Sequence, residues 1–205
     1  MSSSIITPTF HRTEQLPEFF ETYASGSIPS LKRIIILWNN AEPVPQDLQQ
    51  LMSAYPVEVI IEMRASTSKN ERFHIDEYIR TAGILAIDDD MIFDPVDIEF
   101  GYQVWRDFGQ GRRRMAGYIS RETTPEGSYI VSDFTAYSMT LTKSAFIHVD
   151  WLRAWWKDDE QMKELRAYVE SRMFGGLDYW LLGIQRCLLI YYFFLQQNYR
   201  WSFQI

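Results

Sequence analysis

Three consecutive carboxylates, Asp88, Asp89 and Asp90, are the residues of this sequence best suited to chemistry. They follow residues 83–87, whose small and apolar side chains predict a short buried strand. Adjacent carboxylates repel one another, so a strand that ends in three of them favours a bound cation. Mg²⁺ and Mn²⁺ take oxygen ligands, usually one or two carboxylates together with substrate phosphates. A sugar nucleotide fits such a site because its diphosphate must be neutralised as the sugar leaves.

The same acids have a simpler interpretation. Aspartate is a good N-cap residue, so the three acids would also suit a turn that caps the next helix. Taken alone, residues 83–90 favour the capping turn over the metal site. The choice between the two therefore depends on what the rest of the chain brings to the same place.

Predicted strands and helices alternate in the first half of the chain. The strands are predicted at residues 5–9, 31–38, 57–61 and 83–87, which indicates right-handed βαβ units and a mostly parallel α/β sheet. In such sheets ligands bind at the carboxyl ends of the strands. Polar residues follow these ends, and we expect them to converge on one site. They are Arg12, Asn39, Asn40, Asn70, Arg72, Asp88, Asp89 and Asp90.

Helical periodicity predicts further elements on either side of the acids. A helix is predicted to follow Thr13, a second to end at Met52 and a short third to run through Tyr78. Later elements are predicted as a helix from Asp94 and Pro95, a strand at residues 115–120, a turn at residues 125–127 and a helix at residues 143–156. The face that the helix from Pro95 is expected to bury consists of Val96, Phe100, Val104 and Phe108.

Composition bounds the class of protein. With 205 residues the chain fits one domain, and a net charge of −7 gives no electrostatic case for binding nucleic acid. Its only cysteine, Cys187, excludes an internal disulfide. We expect a soluble chain, because no signal peptide or apolar stretch of about 20 residues is visible.

Six segments, taken in order, resemble the exostosin-like glycosyltransferase family 64. The resemblance covers about residues 5–172, and its ordered motifs are more specific than a DxD-type acid cluster alone. The segments are Thr7-Pro8-Thr9-Phe10-His11-Arg12, Trp38-Asn39-Asn40, Asn70-Glu71-Arg72-Phe73, Ile87-Asp88-Asp89-Asp90, Ala116-Gly117-Tyr118-Ile119-Ser120-Arg121 and Tyr137-Ser138-Met139.

The resemblance implies a GT-A fold, a Rossmann-like sheet flanked by helices, and a transferase of the ER or Golgi membranes. It implies Mn²⁺ (or Mg²⁺), a UDP-N-acetylhexosamine donor, a glycan or glycolipid acceptor, and transfer with retention. Asp90 would ligate the metal, while Asp88 and Asp89 would support it and touch the donor. The residues implied to line the uridine and diphosphate pocket are Arg12, Asn39, Asn70 and Arg72.

These implied roles agree with the chemistry of the side chains. Arginine can clamp phosphate oxygens with two hydrogen bonds, and asparagine matches the donor and acceptor edge of uracil. Simpler alternatives exist for three residues. Asn39 and Asn40 would also suit a plain turn, and Arg72 an exposed salt bridge. Trp38 is predicted to be a core residue and not a stacking platform.

The C-terminal part departs from the family pattern. Family members continue with a Cys-Glu-Asp or Cys-Asp-Asp segment, where this chain has Met173-Phe174-Gly175-Gly176-Leu177-Asp178-Tyr179-Trp180. We therefore assign no catalytic residue. We predict a GT-A domain over residues 1–172 that is incomplete on the acceptor side, followed by an apolar tail over residues 173–205.

Two hypotheses concern this tail, and two concern the activity. Reading residues 173–186 one base later permits the missing motif, so the tail can be out of frame; the alternative is a genuine apolar helix or partner-binding segment. If the acceptor side is complete, the protein is a UDP-sugar transferase. If it is not, the chain is a remnant that binds metal and UDP-sugar without transfer.

Overall fold

The computed structural model describes residues 2–64, 68–74, 77–108, 115–123, 129–130 and 139–171. The strands are β1 (Ser3–Thr9), β2 (Leu31–Trp38), β3 (Glu58–Met63), β4 (Gly83–Ile87), β5 (Ala116–Gly117), β6 (Ser120–Thr123), β7 (Tyr129–Ile130), β8 (Met139–Thr140) and β9 (Ser144–His148). The helices are α1 (Leu16–Tyr23), α2 (Gln46–Met52), α3 (Pro95–Phe108), α4 (Val149–Trp155) and α5 (Glu160–Ser171), with 3-10 helices at Thr13–Gln15 and Lys69–Phe73.

The main sheet confirms the predicted α/β class. Its strand order is β3-β2-β1-β4-β9-β5, and β1 to β4 are parallel neighbours. The order reverses between β1 and β4, which makes their carboxyl ends the topological switch point where α/β sheets bind ligands. The sheet is mixed, because β9 runs antiparallel to both β4 and β5. A smaller antiparallel sheet has the order β7-β6-β8.

Apolar residues on both faces of the strands explain why helices cover the sheet on both sides. β2 carries an unbroken apolar run from Ile34 to Leu37 whose members are all fully buried. One core cluster contains Phe19, Ile34, Ile36 and Trp105. The opposite cluster contains Ile35, Leu37, Leu152 and Val169. The prediction that Trp38 belongs to the core is confirmed, since it is 1% exposed.

α3 begins where predicted, but the prediction of its buried face is wrong. Val96, Phe100 and Phe108 are 73%, 64% and 74% exposed, and the helix buries Ile98, Tyr102 and Trp105 instead. Both sets follow helical spacing, so periodicity alone does not choose between them. Gly83 does, because a Cβ at this position would lie 2.8 Å from Trp105. The bare backbone of β4 makes room for the larger rings.

The helix predicted at residues 143–156 is also wrong over its first part. Residues Ser144–His148 form β9, which pairs with β4, and Phe146 lies opposite Leu85. α4 then begins at Val149, after His148 accepts a hydrogen bond from the Asp150 backbone. Pairing with the buried edge of β4 therefore decided the structure of this segment, and local periodicity did not.

Two further predictions need correction, and two lie outside the described residues. Residues 77–78 form a turn where a short helix was predicted, and a 3-10 helix precedes them at Lys69–Phe73. The strand predicted at residues 115–120 is divided into β5 and β6. The turn at residues 125–127 and the tail at residues 173–205 lie outside the described residues. Among the helices of the described part, none has the length and apolarity needed to cross a membrane.

Candidate functional site

The acid cluster lies at the switch point, beside the end of β1. The Asp88 backbone N–H donates to the Lys143 carbonyl at 2.9 Å, and Met91 N donates to the Asp88 carbonyl at 3.1 Å. This turn does not cap α3. Asp94 is the capping residue, because its Oδ1 accepts from the Val96 N–H at 2.8 Å. The capping interpretation of the three acids is therefore wrong.

Two arginines pair with the three carboxylates. Arg12 Nη1 donates to Asp90 Oδ2 at 2.5 Å, and its Nη2 lies 3.2 Å from Asp89 Oδ1. Arg72 pairs with Asp88. The side chain of Asp89 is fully buried, whereas those of Arg12 and Asp90 are 45% and 44% exposed. The structure thus brings five of the predicted site residues into one cluster, with its outer face open to a ligand.

Burial controls the protonation of the middle acid. It raises the pKa of the Asp89 carboxyl, and the Thr9 hydroxyl and Arg12 guanidinium oppose this shift only in part. Neither Asp89 Oδ2 nor the Thr9 hydroxyl makes a hydrogen bond of good geometry within the described residues. In this conformation Asp89 lies beside Arg12, with its carboxylate fully buried.

The carboxylates of the cluster suit a hard divalent cation that takes its remaining ligands from substrate oxygens. Within the described ranges, no three His, Cys, Asp or Glu side chains form a group able to hold a metal ion. Half-exposed Asp90 offers carboxylate oxygens at the outer face, next to the fully buried carboxylate of Asp89. Mg²⁺ and Mn²⁺ commonly use one or two carboxylates plus substrate phosphates, so the residues present fit such an ion.

A cleft of about 520 Å³ adjoins the cluster along the ends of β1, β2 and β3. The His11 backbone N–H donates to Asn40 Oδ1 at 2.6 Å, so Asn40 holds the chain after β1. Asn40 Nδ2 and Asn39 Oδ1 are buried without a hydrogen-bond partner among the described residues. The cleft is lined by Phe10, His11, Asn39, Asn40, Ala41, Met63 and Arg64.

Sequence reasoning assigned no role to the apolar lining of this cleft. Phe10 and Met63 are 47% and 54% exposed, although both are large and apolar. Arg64, also unassigned, donates to Glu71 Oε2 from Nε at 2.9 Å and pairs with Glu62. Their positions could have indicated a role, because all three lie at the carboxyl ends of strands. Phe10 follows β1 directly, Met63 ends β3 and Arg64 comes next.

Asn70 and Arg72 share a 3-10 helix but contact different parts of the molecule. Arg72 is 12% exposed and, besides pairing with Asp88, donates to the Thr142 carbonyl at 3.3 Å. It is therefore not an exposed salt-bridge residue. Asn70 Nδ2 donates to the Arg166 carbonyl of α5 at 3.1 Å, while its Oδ1 is buried without a hydrogen-bond partner in the described part.

Tyr23 of α1 secures the segment that follows the acids. Its hydroxyl donates to the Met91 carbonyl and accepts from the Phe93 N–H, both at 2.9 Å. Burial raises the pKa of the Tyr23 hydroxyl to about 12, although the Phe93 hydrogen bond opposes this shift. The helix-borne hydroxyl thus supports the loop that carries Asp90 outward.

We expect Tyr23→Phe to lower the free energy of unfolding by about 1–3 kcal/mol, because two half-buried backbone groups lose their partner. A raised pKa means that the tyrosine's contribution is complete below pH 10 and is lost as pH rises towards 12. Urea unfolding from pH 8 to 12 measures both effects. Equal alkaline slopes for the two proteins would contradict this assignment.

The fold and the cluster at its switch point define an α/β protein of the GT-A type. A family model described as "Glycosyl transferase family 64 domain" matches residues 3–175. The chain therefore belongs to this family, as the ordered motifs predicted.

Named relatives support this placement. The chain is 34% identical over 148 residues to Glucosamine inositolphosphorylceramide transferase 1 of Arabidopsis thaliana, covering 70% of this chain and 18% of that protein. It is 26% identical over 164 residues to Exostosin-like 2 of Homo sapiens, covering 74% of this chain and 48% of that protein. The chain thus spans less than half the length of these two relatives.

One solved structure supports the fold alone. HddC from Yersinia pseudotuberculosis superposes with a TM-score of 0.50 at 9% sequence identity. The match covers 78% of this chain and 82% of that chain.

Proposed function

We propose that this chain transfers an N-acetylhexosamine from a UDP-sugar to a glycan or glycolipid acceptor, with retention and with bound Mn²⁺ or Mg²⁺. The observation that carries the proposal is the Arg12–Asp89–Asp90 cluster at the switch point between β1 and β4. This edge is where α/β sheets bind nucleotides. Membership of glycosyl transferase family 64 supports the reaction class.

The charged cluster would receive the diphosphate. Asp90 would hold the metal from the exposed side, and the bound ion would neutralise charge on the leaving diphosphate. Arg12, 45% exposed, has a planar guanidinium that can donate two parallel hydrogen bonds to phosphate oxygens. Asp89 would orient Arg12 from the buried side of the cluster, and Arg72 would hold Asp88 through their ion pair.

The neighbouring cleft would receive the nucleoside. Its unpartnered groups, Asn39 Oδ1 and Asn40 Nδ2, are an acceptor and a donor, as the edge of uracil requires. Phe10 and Met63 offer apolar surface to the faces of a base or ribose. Asn70 is not among the residues that line this cleft, although its Oδ1 is also a buried acceptor without a partner in the described part.

The identity of the sugar and the acceptor rests on relatives. The name of one describes glucosamine and inositolphosphorylceramide, and that of another, 27% identical, describes a mannosyl transferase for glycosylinositol phosphorylceramide. These names favour a glycolipid as one acceptor class for this chain. The two names contain different sugars, so the sugar of the donor is the most specific part of the proposal. By the same family analogy we propose an ER or Golgi membrane location.

Turnover of UDP-GlcNAc and UDP-GalNAc tests the proposal. We expect UDP release that requires Mn²⁺, stops with EDTA and increases with a glycolipid or oligosaccharide acceptor. Proton NMR of the product should show the anomeric configuration of the donor. Metal-dependent UDP binding without release would favour the binding-only remnant. Absence of both binding and release would overturn the proposal.

A pair of arginine variants sharpens this test. Arg12→Gln should lower UDP affinity about 10- to 100-fold, because it removes a charge-assisted hydrogen-bond donor. Arg153→Gln is the matched control, since Arg153 is 60% exposed and pairs only with Asp150 among the contacts described. Isothermal calorimetry with Mn²⁺ measures both. Equal affinities would remove Arg12 from the diphosphate site.

A further inference from the structure

The 3-10 helix Lys69–Phe73 positions Arg72, which pairs with Asp88 of the acid cluster. A single 3-10 turn has poorer hydrogen-bond geometry than an α-helix, so external contacts must hold it in place. At its C-terminal end, Trp156 Nε1 donates to the Phe73 carbonyl at 2.7 Å. At its N-terminal end, the contacts come from α5.

One carboxylate of α5 gathers the contacts at that end. Ser68, the N-cap of the 3-10 helix, accepts from the Asn70 N–H at 3.2 Å and donates its own hydroxyl to Glu170. Asn70 Nδ2 also donates to Glu170 Oε2, at 3.3 Å. Glu170 therefore accepts from two side chains of the segment that carries Arg72. Hydrogen bonds to a carboxylate are stronger than those between neutral groups.

α5 itself is firmly attached to the sheet. Met162 and Val169 are 6% and 1% exposed within the second core cluster. The Arg166 guanidinium lies 5.2 Å from the Trp156 ring centroid and donates to the Trp155 carbonyl. Contacts made by Glu170 thus tie the 3-10 helix to a fixed element.

We propose that Glu170 is a positioning residue of the donor site. It acts through Ser68 and Asn70 on Arg72, and through Arg72 on Asp88, without touching the donor. This inference rests on the proposed function, because it takes the acid cluster as the place where UDP binds. It also assigns Asn70 a role towards α5 in addition to the one implied by family resemblance.

UDP affinity in the presence of Mn²⁺ tests this role. Glu170→Ala in the full chain should weaken UDP binding about tenfold. This loss of affinity corresponds to the net contribution of one hydrogen bond. Glu170→Gln keeps an acceptor oxygen and should restore part of the affinity. Glu164→Ala is the matched control, because Glu164 lies exposed on the same helix. It should bind UDP as the parent chain does.

A double variant separates positioning from general loss of stability. In the Arg72→Gln background, Glu170→Ala should weaken UDP binding no further, because its effect passes through Arg72. Independent and additive losses would overturn the proposal. So would equal affinities for Glu170→Ala and Glu164→Ala.

Hydrogen exchange provides a readout without nucleotide. Amides of residues 69–73 should exchange about tenfold faster in Glu170→Ala, while those of β1 and β4 should not change. Unchanged exchange at residues 69–73 would overturn the positioning role. If the parent chain fails to bind UDP, the proposed function is wrong. Hydrogen exchange still tests the contact between Glu170 and the 3-10 helix in that case.

Discussion

Asp90→Ala is expected to abolish the Mn²⁺-dependent part of UDP binding. Asp90 is the half-exposed carboxylate on the outer face of the cluster, and its substitution removes the protein ligand that we propose for the metal. Changing a residue that hydrogen-bonds to a metal ligand commonly weakens metal binding about 10- to 100-fold. Loss of the ligand itself should therefore lower the metal affinity about 100-fold or more. Calorimetric titration of UDP, with and without Mn²⁺, measures the effect.

The control for this variant is Asp158→Ala. The Asp158 side chain is 90% exposed and pairs with Lys163 away from the acid cluster, so UDP binding should be unchanged. Asp90→Ala should also leave the free energy of unfolding within about 1 kcal/mol of the parent value, because an exposed ion pair contributes little. Metal-dependent UDP binding that survives in Asp90→Ala would refute the assignment of the metal ligand.

Trp38→Ala is expected to lower the free energy of unfolding by about 3–5 kcal/mol, a large fraction of the 5–15 kcal/mol typical of a domain. The indole is 1% exposed in the core under α1, and its Nε1 donates to the Glu42 carbonyl at 2.8 Å. Its removal leaves a cavity and takes away the indole donor of the Glu42 carbonyl. Urea unfolding followed by circular dichroism measures the loss.

Trp38→Phe distinguishes a core residue from a stacking platform. Phenylalanine keeps most of the apolar volume but loses the hydrogen bond to Glu42, so a smaller loss of about 1–3 kcal/mol is expected. UDP affinity should change little wherever the variant remains folded. A marked loss of UDP affinity at unchanged stability would mean that Trp38 contacts the ligand.

Much of the parallel half of the sheet could be predicted from sequence. The strand predicted at residues 31–38 has the bounds of β2, because an unbroken apolar run between polar ends has one interpretation in a sheet covered on both faces. The convergence of Arg12 with the acids could be predicted too. Parallel strands present their carboxyl ends at one edge, whatever the lengths of the helices between them.

What could not be predicted depends on contacts between distant segments. β9 is a strand because it pairs with β4, and α3 buries Trp105 because Gly83 lacks a side chain. Asn70 contacts Glu170, a hundred residues further along the chain. Local periodicity carries no information about such partners, and neither does the residue type of Asn70, which suits a ligand and a helix contact equally.

The position of Mn²⁺ in crystals grown with UDP tests the proposed donor site most directly. Anomalous scattering at a wavelength chosen for manganese locates the ion without assumptions about the protein. We expect one peak in contact with the Asp90 carboxylate, with the diphosphate beside Arg12 and the uracil in the cleft near Asn39, as the proposed donor site requires. A manganese peak or a UDP molecule elsewhere, with the switch point between β1 and β4 left bare, would contradict it.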